Sequence, residues 1–277
     1  MTKLPTALIQ MRVTTNKADN LHAARNWIDH CAGEGAELVM LPEMFCCPYD
    51  SVAFPKYAEP EGGQAWQALS NAARHSGVTL VGGSMPEIDA AGRIYNTCYI
   101  FDQAGRQIGK HRKMHLFDID VTGGQRFRES DTLSPGSRVT VVKTSFGRLG
   151  VAICYDVRFP ELARLMVLQG ANILAYPGAF NMTTGPAHWE ILFRTRALDN
   201  QVYTLGCAPA RDTNAGYVSY GHSMVVSPWG SAAGQMGAEE GCLLAELDLE
   251  EIERVRRELP LLQHLRKDVY DLVEPGR

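Results

Sequence analysis

Glu43, Lys113 and Cys154 each stand just beyond a segment that reads as a strand, and their types together would suffice for acyl transfer. A carboxylate can take a thiol proton, the thiolate can attack a carbonyl carbon, and an ammonium can hold the resulting oxyanion. A buried glutamate with a raised pKa could then hand the proton to a leaving amine. Cys154 gives the sharpest signal. The run Gly150–Ile153 before it reads as a buried strand, and from Tyr155 to Pro160 the strand pattern yields to a helical one. A thiol at that turn faces the crevice at the carboxyl end of a sheet, where the N–H groups opening the next helix favour its thiolate. Each residue also has an ordinary reading. Cys154 suits a small core hydrophobe, Glu43 an exposed loop carboxylate, Lys113 one member of the basic cluster Lys110-His111-Arg112-Lys113, and Glu129 a surface charge. Spacing alone does not bring them together.

The elements that must position these residues alternate between strand and helix. Leu4–Val13 reads as a first buried strand, and Leu21, Ala24, Ile28 and Cys31 then recur at helical spacing before Gly33 and Gly35. Glu37–Leu41 is a second strand stopped by Pro42, with Glu43 next. A loop carrying Cys46 to Pro55 leads into a helix with Trp66, Leu69, Ala72 and Ala73, and Val78–Val81 is the next strand. Ile94–Phe101 and Arg106–Arg112 flank the hairpin signal Asp102-Gln103-Ala104-Gly105, so the sheet is mixed and Lys113 closes its second arm.

Asp118–Ser137 is polar and glycine-rich and reads as a surface connection carrying Glu129. Val139–Thr144 and Arg148–Ile153 form a strand pair leading into Cys154, and Pro160 and Gly170 bound a helix. A strand at Asn172–Tyr176, a loop to Gly185 and a helix through His188–Asp199 follow. Further strands are expected at Gln201–Ala208, His222–Val226 and Cys242–Leu247, with Pro228-Trp229-Gly230 turning between the last two. Leu249–Leu259 is a charged amphipathic helix, and the tail from Pro260 is irregular.

Composition narrows the class. Hydrophobic content of 45%, charged content of 21% and a net charge of −4 describe one globular domain spanning residues 1–277. Neither charge sign dominates enough to imply nucleic acid or an anionic membrane as partner. No apolar run approaches the roughly 20 residues of a membrane span, and the odd set of seven cysteines fits a reducing, cytoplasmic compartment. Adjacent Cys46 and Cys47 suit neither a disulfide nor a zinc pair, so no metal is expected.

Taken as an ordered set, the motifs resemble the nitrilase, or carbon–nitrogen hydrolase, superfamily. Leu41-Pro42-Glu43, the HRKMHLFD stretch around Lys113 and GVAICYDVRFPEL around Cys154 match its Glu-Lys-Cys triad. Leu133-Ser134-Pro135-Gly136, YPGAFN from Tyr176, GPAHWE from Gly185, RALDNQ from Arg196 and PARD from Pro209 resemble its omega-amidase branch. The resemblance covers essentially the whole chain. It implies an α/β four-layer α-β-β-α sandwich, pairing into a homodimer through helices beside the Cys154 turn, with the tail from Pro260 a candidate for that interface. It makes Cys154 the nucleophile, Glu43 the general base and then acid, and Lys113 the oxyanion stabiliser. The Tyr155 N–H completes the oxyanion hole, and Glu129 is the second glutamate that positions lysine and substrate. No cofactor is implied.

An omega-amidase cleaves the terminal amide of a dicarboxylic acid monoamide such as 2-oxoglutaramate. Its far carboxylate needs a partner in the pocket, because a buried unpaired charge costs several kcal/mol. Arg158 is the candidate cation, with Tyr49 and the loop residues Asn181, Met182 and Thr183 as further contacts, although Arg158 could instead pair with Asp156 or Glu161. Other members of the superfamily compete: amidases of deaminated glutathione, nitrilases and N-carbamoyl amidohydrolases. Outside it stand a Cys-His hydrolase using His111, His115 or His188, a redox-sensing thiol protein and a metal-dependent hydrolase.

Overall fold

A computed structural model describes residues 3–274. The first half of the chain comprises β1 (Lys3–Gln10), α1 (Lys17–Gly33), β2 (Leu38–Met40), α2 (Phe54–Tyr57), α3 (Gln64–Ser76), β3 (Thr79–Val81), β4 (Met85–Ile88), β5 (Ile94–Phe101) and β6 (Gln107–Arg112). A small hairpin, β7 (Asp118–Asp120) and β8 (Arg126–Arg128), leads to the second half. There lie β9 (Val141–Thr144), β10 (Gly147–Val151), α4 (Pro160–Leu168), β11 (Ile173–Pro177), α5 (Gly185–Asn200), β12 (Tyr203–Cys207), β13 (Met224–Val226) and β14 (Ala232–Gln235). β15 (Gly241–Asp248) and α6 (Leu249–Glu258) close the series.

Two sheets result. In the seven-stranded one, the path β15-β1-β2-β3-β5-β4 carries β6 on β5, and β1, β2 and β3 run parallel. In the six-stranded one, β14-β13-β12-β11-β10-β9, the central β10, β11 and β12 are parallel. Period-2 alternation explains how both faces of β1 are buried. Leu4 and Leu8 point into a core shared with Leu149, Val151, Ile173 and Leu205 of the opposite sheet. Ala7 and Ile9 point the other way, against Leu21, Ala24 and Ile28 of α1 and Leu69 of α3. On the far side α4 and α5 cover the second sheet through Leu162, Met166, Trp189 and Phe193. This is the expected α-β-β-α sandwich.

Three expectations need correction. β4 lies in a stretch, Met85-Pro86-Glu87-Ile88, with too little apolar alternation to signal a strand, and only pairing with β5 defines it. The turn at Pro228 leads to β14 rather than to β15, which crosses to the first sheet and pairs antiparallel with β1. The connection 118–137 is no plain surface loop: it holds the β7–β8 hairpin, and Glu129 in it is fully buried.

The loop after β2 is held from β3. Met44 N donates to Ser84 Oγ at 3.0 Å, Phe45 N to Ser84 O at 3.1 Å and Ser84 N to Pro42 O at 3.2 Å. Gly83 permits this with a φ of +63°, and a Cβ there would stand 2.3 Å from Pro42 O and 2.9 Å from Leu41 Cβ. Gly83→Ala must therefore push the Glu43 loop away. The expected result is a loss of about 1–3 kcal/mol in urea unfolding, and a variant as stable as the parent would contradict this packing.

Candidate active site

Glu43, Lys113 and Cys154 leave the carboxyl ends of β2, β6 and β10, strands that point the same way within their sheets. Lys113 is the first residue past β6, fixed by its N–H on Asn96 O at 2.8 Å and by Gly136 N on its carbonyl at 2.8 Å. Cys154 opens a 3-10 turn, Cys154–Arg158, rather than an α-helix, and does so with a φ of +46°. That left-handed conformation is uncommon for a residue with a side chain and turns its sulfur sharply off the strand direction. Arg196 of α5 secures the turn from below, its Nε on Val157 O at 2.7 Å and its Nη2 on Arg158 O at 3.1 Å. The N–H of Tyr155 lies in the first turn, where helix donors lack an intrahelical acceptor.

The structure brings the predicted triad and the second glutamate together. Lys113 Nζ donates to Glu43 Oε1 at 2.9 Å and to Glu129 Oε1 at 3.0 Å, and all three side chains are fully buried. Glu43 Oε1 also accepts from Asn96 Nδ2 at 2.9 Å, and its Oε2 accepts from Ala179 N at 2.8 Å. The Cys154 thiol lies near enough to the Glu43 carboxylate for the two to shift each other's titration. Tyr49 joins the cluster by donating its hydroxyl to Glu129 Oε1 at 2.7 Å. Glu129 Oε2 accepts from Phe117 N at 2.7 Å, which ties the base of the β7–β8 hairpin to the lysine.

Burial and neighbours set the charges. Burial alone would discharge Lys113, but Glu129 and Glu43 reverse that and hold its ammonium above the ordinary lysine range. Burial raises Glu43, opposed by Lys113 and reinforced by Glu129. Burial also pushes Cys154 well above the usual thiol range, with Glu43 adding to the rise and Lys113 opposing it. The sequence-based expectation of a helix-stabilised thiolate gives way to the opposite direction: burial and the Glu43 charge outweigh Lys113 and favour the protonated thiol beside that carboxylate.

Of the other predicted residues, Arg158 lies half-buried over the rings of Phe180 and Tyr155, its guanidinium carbon 4.8 and 5.5 Å from their centroids. Its Nη1 donates to His188 Nδ1 at 3.1 Å, and among the described residues no carboxylate lies within 4 Å of it. Asp156 binds His111 and His115 instead, so the pairing with Arg158 is not formed. Asn181 is buried, and its Oδ1 is occupied by Thr183 N, Thr184 N and Thr184 Oγ1 at the entry to α5. Met182 and Thr183 are exposed. The acceptor of Asn181 thus shapes the loop rather than facing a ligand.

A cavity of about 870 Å3 opens beside Glu43, Tyr49 and Ala179, with Phe127 and Tyr217 on its wall and exposed Lys56 and Asp212 among its lining. Tyr49 packs against Tyr217 and Phe127 at 4.5 and 5.3 Å between ring centroids. Sequence reasoning missed Asn96, Ala179, Tyr217 and Asp156. Only Asn96 carried a signal, as an amide on the same strand face as the buried Cys98 and Ile100.

A protonated resting thiol has a measurable consequence. Alkylation of Cys154 by iodoacetamide is expected to be slow at pH 7 and to keep rising through pH 9, because the thiolate fraction grows only as pH approaches the raised pKa. A plateau below pH 7 would show a resting thiolate–ammonium pair.

Comparison with known proteins agrees with this geometry. The family model described as carbon-nitrogen hydrolase matches residues 6–257. Omega-amidase NIT2-A of Xenopus laevis is 49% identical over 274 residues, 99% of each chain, and omega-amidase NIT2 of Homo sapiens is 47% identical over 270 residues, 98% of each. The crystal structure of Saccharomyces cerevisiae Nit3, a member of branch 10 of the nitrilase superfamily, superposes with a TM-score of 0.89 at 44% identity, covering 96% of this chain and 97% of that one. With a full-length match of this kind and a buried Glu-Lys-Cys cluster at the sheet ends, the chain belongs to the carbon–nitrogen hydrolase family.

Proposed function

We propose that this chain is an omega-amidase, hydrolysing the terminal amide of a 2-oxo dicarboxylic acid monoamide such as 2-oxoglutaramate to the dicarboxylate and ammonia. One observation carries the chemistry: a buried ammonium shared by two glutamates beside the buried Cys154 thiol. The choice of substrate rests on the omega-amidase relatives and on Arg158, a guanidinium with no carboxylate partner among the described residues.

In this reading Glu43 takes the Cys154 proton as the sulfur bonds to the amide carbon, and the carbonyl oxygen becomes an oxyanion held by Lys113 Nζ and the Tyr155 N–H. Collapse breaks the carbon–nitrogen bond while Glu43 returns the proton to the departing nitrogen, leaving ammonia and a thioester. Water then attacks the thioester carbon, Glu43 accepts its proton, and the thiol leaves with that proton restored. Glu129 and Tyr49 keep Lys113 pointed at the oxyanion. Arg158 receives the far carboxylate, with the phenol of Tyr49 and the 181–183 loop as the surroundings.

The same reading makes the protein a homodimer of a cytoplasmic enzyme. Exposed Leu168 of α4, Leu198 of α5 and Val269 and Tyr270 of the tail support pairing beside the nucleophile turn, and seven free cysteines suit a reducing compartment. The size of the cavity favours a second reading, amide hydrolysis of a bulkier substrate such as deaminated glutathione.

Product release from 2-oxoglutaramate, deaminated glutathione, a simple nitrile and an N-carbamoyl amino acid separates these. The expected order places 2-oxoglutaramate first, and faster turnover of any other removes the substrate assignment. Glu43→Gln should lower kcat by about 100-fold or more, whereas Arg158→Ala should raise KM for 2-oxoglutaramate by about 10-fold or more while sparing kcat. Because the Glu43 carboxyl is raised, activity should fall on the acid side with a midpoint above the ordinary 4.5. An acid limb below that value would contradict Glu43 as the base.

A further inference from the structure

We propose that Asp156 is a positioning residue: its carboxylate locks the segment carrying Lys113 to the turn carrying Cys154, so that ammonium and sulfur keep one fixed separation. The inference rests on the catalytic reading of those two residues given above. Asp156 is fully buried two positions after the cysteine, and five donors converge on it. Its Oδ1 accepts from His115 N at 2.9 Å and His115 Nδ1 at 2.7 Å. Its Oδ2 accepts from Ile153 N at 3.0 Å and His111 Nε2 at 3.1 Å, with Met114 N at 3.5 Å. The donors flank Lys113 on both sides in sequence, and one immediately precedes Cys154.

The connection crosses between sheets. Lys113 extends β6 of the first sheet and Cys154 extends β10 of the second, and much of the packing between the two sheets is apolar contact, which carries no directional preference. Asp156 supplies directional, charge-assisted bonds across that boundary. Both histidines are anchored in turn: His111 Nδ1 contacts Thr140 Oγ1 at 3.0 Å, and His115 stacks on Phe159 with ring centroids 3.6 Å apart. A carboxylate this deeply buried is ordinarily costly to ionise, but the two histidines and the Ile153 N–H hold it well below the usual range. It touches neither the sulfur nor the ammonium, so it acts through them.

Asp156→Asn tests this, because it keeps the shape and one acceptor while removing the charge. Displacement of a reacting group by about 1 Å costs roughly 100-fold in rate, so kcat on 2-oxoglutaramate should fall about 100-fold with KM changed by less than about threefold. Alkylation of Cys154 by iodoacetamide at pH 8, followed by intact mass, reads the same positioning without substrate. Loss of a nearby negative charge would by itself ease thiolate formation and speed alkylation; loss of alignment with Glu43 slows it, which is the expected result. A folded Asp156→Asn protein with wild-type kcat, with equal losses in kcat and KM, or with faster alkylation overturns the proposal.

Should that variant fail to fold, His115→Ala decides, since its side chain is 31% exposed and its loss removes only one donor from Oδ1. A drop in kcat at constant KM supports the lock, and an unchanged kcat overturns it. If the wild type proves inert towards 2-oxoglutaramate, the substrate reading fails by itself, and the alkylation rates alone judge Asp156.

Discussion

A single ammonium held between two carboxylates, all three buried from solvent, is the constraint on which the rest of the site depends. Lys113 meets Glu43 and Glu129 at 2.9 and 3.0 Å, and all three are fully buried. Removing charges from water costs several kcal/mol per ion, and removing one partner from such a set costs about 3–5 kcal/mol because the remainder is left uncompensated. The three therefore stand or fall as a unit. Their backbones come from the loop after β2, the end of β6 and the turn after β8, so the unit fixes three connections at once.

The same burial governs the sulfur. In water a thiol beside an ammonium would lean towards thiolate; here burial and the Glu43 charge outweigh Lys113 and keep the proton in place. In the proposed mechanism, proton removal and attack are thereby tied to the arrival of a substrate that replaces lost hydration with a carbonyl group. Asn96 and the Ala179 N–H occupy the two oxygens of Glu43, so that its orientation is set before substrate enters. The positive φ at Cys154 belongs to the same design: the buried 3-10 turn over-determines a strained residue that points its side chain at the carboxylate.

Much of this was legible in the chain. Strands β1, β2, β5, β10 and β11 announce themselves as apolar runs with Pro or Gly punctuation, β6 as the second arm of a hairpin signal, and α1 and α3 by their helical spacing. Glu43, Lys113 and Cys154 were visible because each follows a segment that reads as a strand, and the family resemblance supplied their shared purpose. What sequence could not show was depth. Glu129 sits in a polar, glycine-rich stretch, and only the β7–β8 hairpin, packing its Phe127 against Phe117 and Tyr49, carries it inside. Asp156 looked like a partner for nearby Arg158, whereas both its histidine partners lie more than forty residues back, His111 on β6 of the other sheet and His115 just beyond it. β15 crossing to β1 is likewise a long-range pairing without local signal.

Rapid quenching of the protein mixed with 2-oxoglutaramate, followed by intact-mass and peptide mass spectrometry, addresses the central claim most directly. The account predicts a transient 2-oxoglutaryl adduct on Cys154, formed with one ammonia released per adduct and decaying as dicarboxylate appears. Steady ammonia release with no adduct on Cys154, or with the acyl group on another residue, would contradict it.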